Sequence, residues 1–317
     1  MQIYYLFCLL FVLKYLRTHN IIYIMLSNIY TPELSYKIVN YLPYKFYVYL
    51  LLTSKEINTI YNNKSYLDLY FTPLNRNELT DAIELWSKSK SNCIKKYGHI
   101  SKWNTINITD MSNLFYEKYY IELDISHWLV NNVKNMSFMF YGVVSNFCNI
   151  NEWNVKKVES MSGMFCKCDN FNQPLDKWNI SNVYDISYMF SGTKNFNQPI
   201  NNWNVENVKY AEFLFYYANE FNQPLDLWNT KNITTIHYIF CGAKNFNHSV
   251  NMWDTSSVKN MSYAFYDNHN YPHTIYDWNV TKVNALKYIF DDSKKIKKHI
   301  NKWYDYKNYN IFNNIFY

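Results

Sequence analysis

The sequence predicts a repeat solenoid of eight to nine coils, each a short strand plus a short helix, behind a small all-α N-terminal segment. Three columns of side chains predict it. Trp103, Trp128, Trp153, Trp178, Trp203, Trp228, Trp253, Trp278 and Trp303 recur every 25 residues. Twelve residues after each stands Phe115, Phe140, Phe165, Phe190, Phe215, Phe240, Phe265 or Phe290, with Ile315 in the ninth copy. Three residues before each Trp from Trp128 onward lies an apolar residue: Ile125, Ile150, Leu175, Ile200, Leu225, Val250, Ile275 and Ile300. A fixed period without insertions marks an array in which each coil buries its apolar face against its neighbours.

The elements follow in chain order. Ile3 to Leu13 is an apolar run of 11 residues, short of the ~20 that a membrane-spanning helix needs. No Lys or Arg precedes it and no small-residue cleavage site follows, so it makes a poor secretory signal. Lys14 and Arg17 behind it would hold the bulk of the chain on the cytosolic side if the run were an anchor. Residues 1–26 stay open between a signal or anchor, a loose or interfacial helix, and sequence upstream of a start at Met25. Residues 27–65 read as a helical segment. Thr31 caps, Pro32 suits the first helical position and Glu33 complements the dipole. Leu34, Ile38, Tyr41 and Leu42 follow at helical spacing up to Pro43, and a second helix runs from Phe46 to Ile60. Residues 66–102 are a linker and a capping helix. From Asn77, Leu79, Ala82, Ile83, Leu85 and Trp86 line one side of a helix that runs through Cys93 to Tyr97-Gly98, placed to cover the first coil. The solenoid with its C-terminal cap takes 103–317.

Within a coil, numbered from Trp as zero, position 7 holds Asp110, Asn135, Ser160, Asp185, Thr235 and Asn260, all residues that cap helices; Tyr210 and Ala285 are the exceptions. Positions 8, 11 and 12, such as Met161, Met164 and Phe165, are apolar at i, i+3, i+4, one face of a helix of about two turns. Gly142, Gly192 and Gly242 at position 14 would end it. Apolar residues around Trp suggest a brief strand, and Phe171-Asn-Gln-Pro-Leu with its copies at Phe196 and Phe221 makes a turn. Asn at position 1 (Asn104, Asn154, Asn179, Asn204, Asn229, Asn279) and position 19 (Asn172, Asn197, Asn222, Asn247) reads as structural, through amides stacked along the array. Position 10 falls opposite the apolar face of such a helix, yet from Tyr188 it reads Tyr188, Phe213, Tyr238, Tyr263 and Tyr288. Exposed aromatic rows are what interfaces use, so these five are the candidate partner-binding stripe, with lateral stacking between coils as the structural alternative.

Two resemblances add to this. The unit Trp-Asn-Val-x-x-Val-x-x-Met-Ser-x-Met-Phe with Phe-Asn-Gln-Pro-Leu, over about 77 to 303, resembles the repeats of the BspA-like leucine-rich-repeat surface protein family (domain-of-unknown-function 285 repeats). That likeness implies a leucine-rich-repeat-like solenoid that binds proteins and catalyses nothing. Such proteins are often surface-exposed in bacteria, and similar repeats occur in intracellular proteins of large DNA viruses and protists. Pro32-Glu33-Leu34, Ile38-Val39, Tyr41-Leu42-Pro43 and the run from Leu50 to Asn58 resemble the F-box. This implies a Skp-type adaptor bound through Pro32, Leu34, Ile38, Leu42 and Leu51.

Chemistry is sparse by comparison. The chain has no glycine-rich phosphate loop, His-Glu-x-x-His motif, nucleophile elbow or paired-Cys metal site. Six cysteines form no disulfide framework, and Cys166 and Cys241 repeat three coils apart, about 14 Å at strand spacing. A net charge of +6 is modest for 317 residues, and its densest run, Lys294-Lys295-Ile296-Lys297-Lys298, reads as a solvated cap, which argues against nucleic acid. The expectation is a non-enzyme without cofactor or metal: an intracellular adaptor whose solenoid holds a target protein for ubiquitin-ligase recruitment. The alternatives are a surface or secreted adhesion protein, anchored or exported through residues 1–24, and a plain scaffold.

Overall fold

The computed structural model describes residues 71–269 and 271–290. All lie in the second of the two units into which the chain divides, Ser65–Tyr317. The leader, the F-box-like residues, Cys8, the basic run at Lys294 and the ninth coil from Trp303 lie outside the described residues.

The array opens on two helices. Helix α1 (Arg76–Lys88) is capped by Asn75, whose side chain accepts the Glu78 N–H at 3.1 Å. Helix α2 (Lys90–Tyr97) follows after a break at Ser89, whose backbone is extended; the sequence had suggested one continuous helix. Leu79, Ala82, Ile83 and Trp86 are buried, while Leu85 is only half-buried. Trp86 meets Trp103 edge-on at 6.3 Å and its indole N–H donates to the Glu122 carbonyl at 3.1 Å. The closure is polar as well as apolar. The Arg76 guanidinium donates to the carbonyl of Ser112, at position 9 of the first coil. In each later coil with a described neighbour, that carbonyl accepts a backbone N–H from the coil before, as Ser137 does from Asn113 at 2.9 Å. Arg76 thus satisfies an acceptor that no preceding coil serves among the described residues. Ion pairs Lys118–Glu84 and Lys90–Glu122 hold the two helices to the same coil.

The two-turn helix expected at positions 8 to 14 is not formed. Those residues make consecutive β-turns, in which Met189 N–H donates to Ile186 O, Ser191 to Tyr188 and Thr193 to Phe190. Position 10 and position 14 have positive φ throughout: Tyr188 60°, Phe213 56°, Lys167 58°, Tyr217 51°. In the turns at 8–11 and 12–15 this is the third residue, the mark of a type II turn. Such a turn shares the i to i+3 spacing of a helix, which is why the apolar pattern read as helical. Its alternate N–H groups, however, point along the array. In one coil Ile186, Tyr188, Phe190 and Gly192 donate to Tyr210, Glu212, Leu214 and Tyr216 of the next, at 2.6 to 3.0 Å. An α-helix would have kept those bonds within the coil.

The expected strand shrinks similarly. Among the described residues pairing is confined to single parallel bridges at position 7, running Asp110, Asn135, Ser160, Asp185, Tyr210, Thr235, Asn260 and Ala285. The cap-type residues there do cap, but as Asx-type turns: Asp185 Oδ1 accepts the Ser187 N–H at 2.9 Å and Asn260 Oδ1 that of Ser262 at 2.9 Å. Position 1 works the same way, with Asn179 accepting from Ser181 at 3.0 Å, so this column is not a stack of amides. Position 19 is a ladder between coils: Asn172 accepts the Asn197 N–H, Asn197 that of Asn222 and Asn222 that of Asn247, at 2.9 to 3.1 Å.

The core runs along the array. Phe115, Phe140, Phe165, Phe190, Phe215, Phe240, Phe265 and Phe290 stack with centroids 5.2 to 5.9 Å apart. From Trp128 onward each described Trp of the column also has a polar task that the pattern did not announce. The indole N–H of Trp128 donates to Ile100 O, Trp178 to Ile150, Trp203 to Leu175 and Trp278 to Val250, at 2.9 to 3.1 Å and always 28 residues back. Phe would fill only part of the space and could not make this bond.

Candidate partner-binding face

The five stripe residues come together. Tyr188 stacks on Phe213 at 4.5 Å, Phe213 on Tyr238 at 4.6 Å, Tyr238 on Tyr263 at 4.4 Å, and Tyr263 on Tyr288 at 5.3 Å with a wider tilt. All five are half-buried, and all have positive φ. For a non-glycine residue that conformation costs about 1–2 kcal/mol, and ring stacking returns a comparable amount. No β-branched residue stands at position 10 in any described coil.

Inner rings of this ladder have a neighbour on each face, so their exposed part is the rim. A second row flanks it. Tyr216 meets Phe213 and Tyr238 edge-on, Tyr266 meets Tyr263 in the same manner, and Tyr217 and Tyr266 are exposed. These tyrosines, at positions 13 and 14, were missed in the sequence because a helix would have turned them elsewhere; their spacing three and four residues after the stripe was the available signal. Burial, with the neighbouring Tyr263, pushes the Tyr238 phenol up to about 12, so it remains a protonated donor at neutral pH.

His237 extends the face at position 9, stacked on Tyr238 at 4.4 Å and Phe213 at 5.3 Å. Asn260 spends its oxygen on Ser262, so its amide must donate to His237 Nδ1 at 2.9 Å. The imidazole therefore carries its proton on Nε2, in keeping with burial holding its pKa down.

The ladder begins where Gly163 replaces a ring. The Phe138 ring leans across that glycine, and a Cβ there would sit 2.2 Å from it. The adaptor-binding residues Pro32, Leu34, Ile38, Leu42 and Leu51 lie outside the described residues. Among the described residues no group of three His, Cys, Asp or Glu could hold a metal, no cysteine is in a disulfide, and no helix is long and apolar enough to cross a membrane. Burial raises the thiols of Cys148, Cys166 and Cys168, which makes them poor nucleophiles.

Against known proteins, the family model described as "Mycoplasma protein of unknown function, DUF285" matches three stretches in tandem, residues 84–165, 143–236 and 223–317. No curated protein and no solved structure matches the chain.

Proposed function

Since the chain belongs to this DUF285 family of tandem repeats, we propose that it is a non-enzymatic solenoid scaffold that binds a protein partner along the stripe Tyr188, Phe213, Tyr238, Tyr263 and Tyr288. One observation carries this reading. Five aromatic rings in successive coils stand half-exposed at positive φ, where a small or polar residue would be the cheaper choice. Rigid aromatic surface of this kind gives large contact area at little entropic cost.

The finer reading is an intracellular adaptor, in which residues 27–65 dock a Skp-type protein through Pro32, Leu34, Ile38, Leu42 and Leu51 and the array presents a target. It rests on the F-box-like pattern alone. Two variants of the full chain separate the parts. Tyr238→Ser with Tyr263→Ser should abolish capture of the target from host extract while leaving Skp-type binding intact. Leu42→Asp should do the reverse. If the wild-type chain binds no Skp-type protein the adaptor reading falls, and if the tyrosine pair leaves capture unchanged the stripe is structural only.

A further inference from the structure

In the earlier coils Lys134 pairs with Glu159, Lys177 with Glu152 and Lys194 with Asp169, while exposed Lys156, Lys157 and Lys209 make no ion pair among the described residues. From Trp228 onward Lys231, Lys259, Lys282 and Lys287 are exposed, and none is within ion-pair distance of a carboxylate among the described residues. The carboxylates in the same coils are committed locally. Asp254, whose carboxyl feels Lys231 and Lys282 from a distance, accepts the Ser256 N–H at 2.9 Å. Asp277 accepts from the Asn251 amide at 2.6 Å, and Asp267 contacts His269 at 3.1 Å. Lys287 Nζ lies 6.0 Å from the Tyr288 ring, and Lys259 immediately precedes Asn260, which holds the His237 imidazole.

The ladder itself narrows what can bind. With inner ring faces closed by stacking at 4.4 to 4.6 Å, no base or sugar can stack on them and no cation can reach a π face. What remains are ring rims, which carry the positive end of the aromatic quadrupole, and phenol O–H donors. Rims, hydroxyl donors and uncompensated ammonium groups all favour negative charge.

We propose that coils Trp228 to Trp278 form a docking surface for an acidic, extended polypeptide segment, its carboxylates lying along Tyr238, Tyr263 and Tyr288 between Lys259 and Lys287. This rests on the stripe being a partner site and specifies the partner's chemistry. Three coils at about 4.8 Å each accommodate roughly four to five extended residues at contact. Closed ring faces favour a peptide over a nucleic acid, whose bases would be left without a stacking platform.

The test is fluorescence anisotropy on the full chain with three probes: a glutamate-rich peptide of about 12 residues, its glutamine counterpart, and a single-stranded oligonucleotide of equal charge. The glutamate peptide should bind saturably, at least tenfold tighter than the other two, and weaken severalfold as salt rises from about 0.05 to 0.3 M. Lys259→Gln with Lys287→Gln should weaken it at least fivefold with the fold unchanged by near-ultraviolet circular dichroism. Tyr238→Phe with Tyr263→Phe, which keeps the rings and removes the hydroxyls, should weaken it about threefold. Equal binding of the two peptides would overturn the acidic partner while leaving the stripe as an apolar protein site. Tighter binding of the oligonucleotide, or no binding by the glutamate peptide, would overturn the proposal outright.

Discussion

Trp203→Phe isolates the polar task of the tryptophan column. Trp203 is 3% exposed, and its indole N–H donates to the Leu175 carbonyl at 3.1 Å in the coil before. That carbonyl also accepts the Trp178 backbone N–H at 3.1 Å, so the variant does not strand it completely. The lost bond is then worth about 1 kcal/mol, the net value of an ordinary buried hydrogen bond. The smaller ring leaves an unfilled volume among packed neighbours, adding about 1–2 kcal/mol. Together these give ~2–3 kcal/mol, which for an array of this length lowers Tm by roughly 5–10 °C. Thermal melts followed by near-ultraviolet circular dichroism measure it directly. A Trp203→Phe protein melting within about 1 °C of wild type would show that the column is held by packing alone, and the explanation for tryptophan over phenylalanine would fail.

Other substitutions probe the remaining devices. Phe190→Ala removes a fully buried ring stacked on Phe165 and Phe215 and should cost ~3–5 kcal/mol by chemical denaturation. Gly163→Ala should destabilise by about 2–4 kcal/mol, through the left-handed backbone at φ 61° and through its Cβ meeting the Phe138 ring. Adding Phe138→Ala should recover the steric part and leave the backbone part, and a purely additive pair would contradict the steric account. Asp185→Ala deletes the side-chain bond to Ser187 N–H and should cost about 0.5–2 kcal/mol. Hydrogen bonding to Ser256 holds the Asp254 carboxyl below its ordinary value. Its contribution is therefore present above the unfolded pKa and is lost as pH falls through the folded one. Asp254→Asn, the residue found at position 1 in most other coils, should flatten the loss of stability below about pH 4 and change little at pH 7. An acid limb identical in both proteins would argue against the linkage.

The repeat, its register and its buried columns were legible because one 25-residue step places Trp203, Phe215 and Leu225 in surroundings equivalent to those of Trp178, Phe190 and Ile200. The local conformation was not. Apolar residues at Ile186, Met189 and Phe190 satisfy both a helix face and a run of turns, and only the sign of φ at Tyr188 separates them. Gly163 and Gly192, at positions 10 and 14 of their coils, marked those two left-handed sites, but aromatic rings at position 10 and Glu117, Lys167, Tyr217 and Asp267 at position 14 obscured the rule. Position 10 was singled out through a helical argument, and in the turn it is half-exposed for a different reason, the left-handed backbone that carries it. The flanking Tyr216 and Tyr266, and the imidazole of His237, required the turn geometry to place them.

The bonds that cross from coil to coil have a consequence for how such a chain can change over generations. The indole bonds from Trp128 to Trp278 each span 28 residues, and the turn ladder steps by 24. A whole unit added to or deleted from the middle of the array would therefore present the same donors and acceptors at both junctions, with no new packing problem to solve. A slip of even one residue would point each indole away from its carbonyl and each turn N–H away from its acceptor. Length is thus a nearly neutral variable in whole units and a forbidden one in fractions, while the helices that close the first coil are needed once whatever the count. A ladder laid out one ring per coil inherits that property: recombination between units can lengthen or shorten it without disturbing the rings already in place.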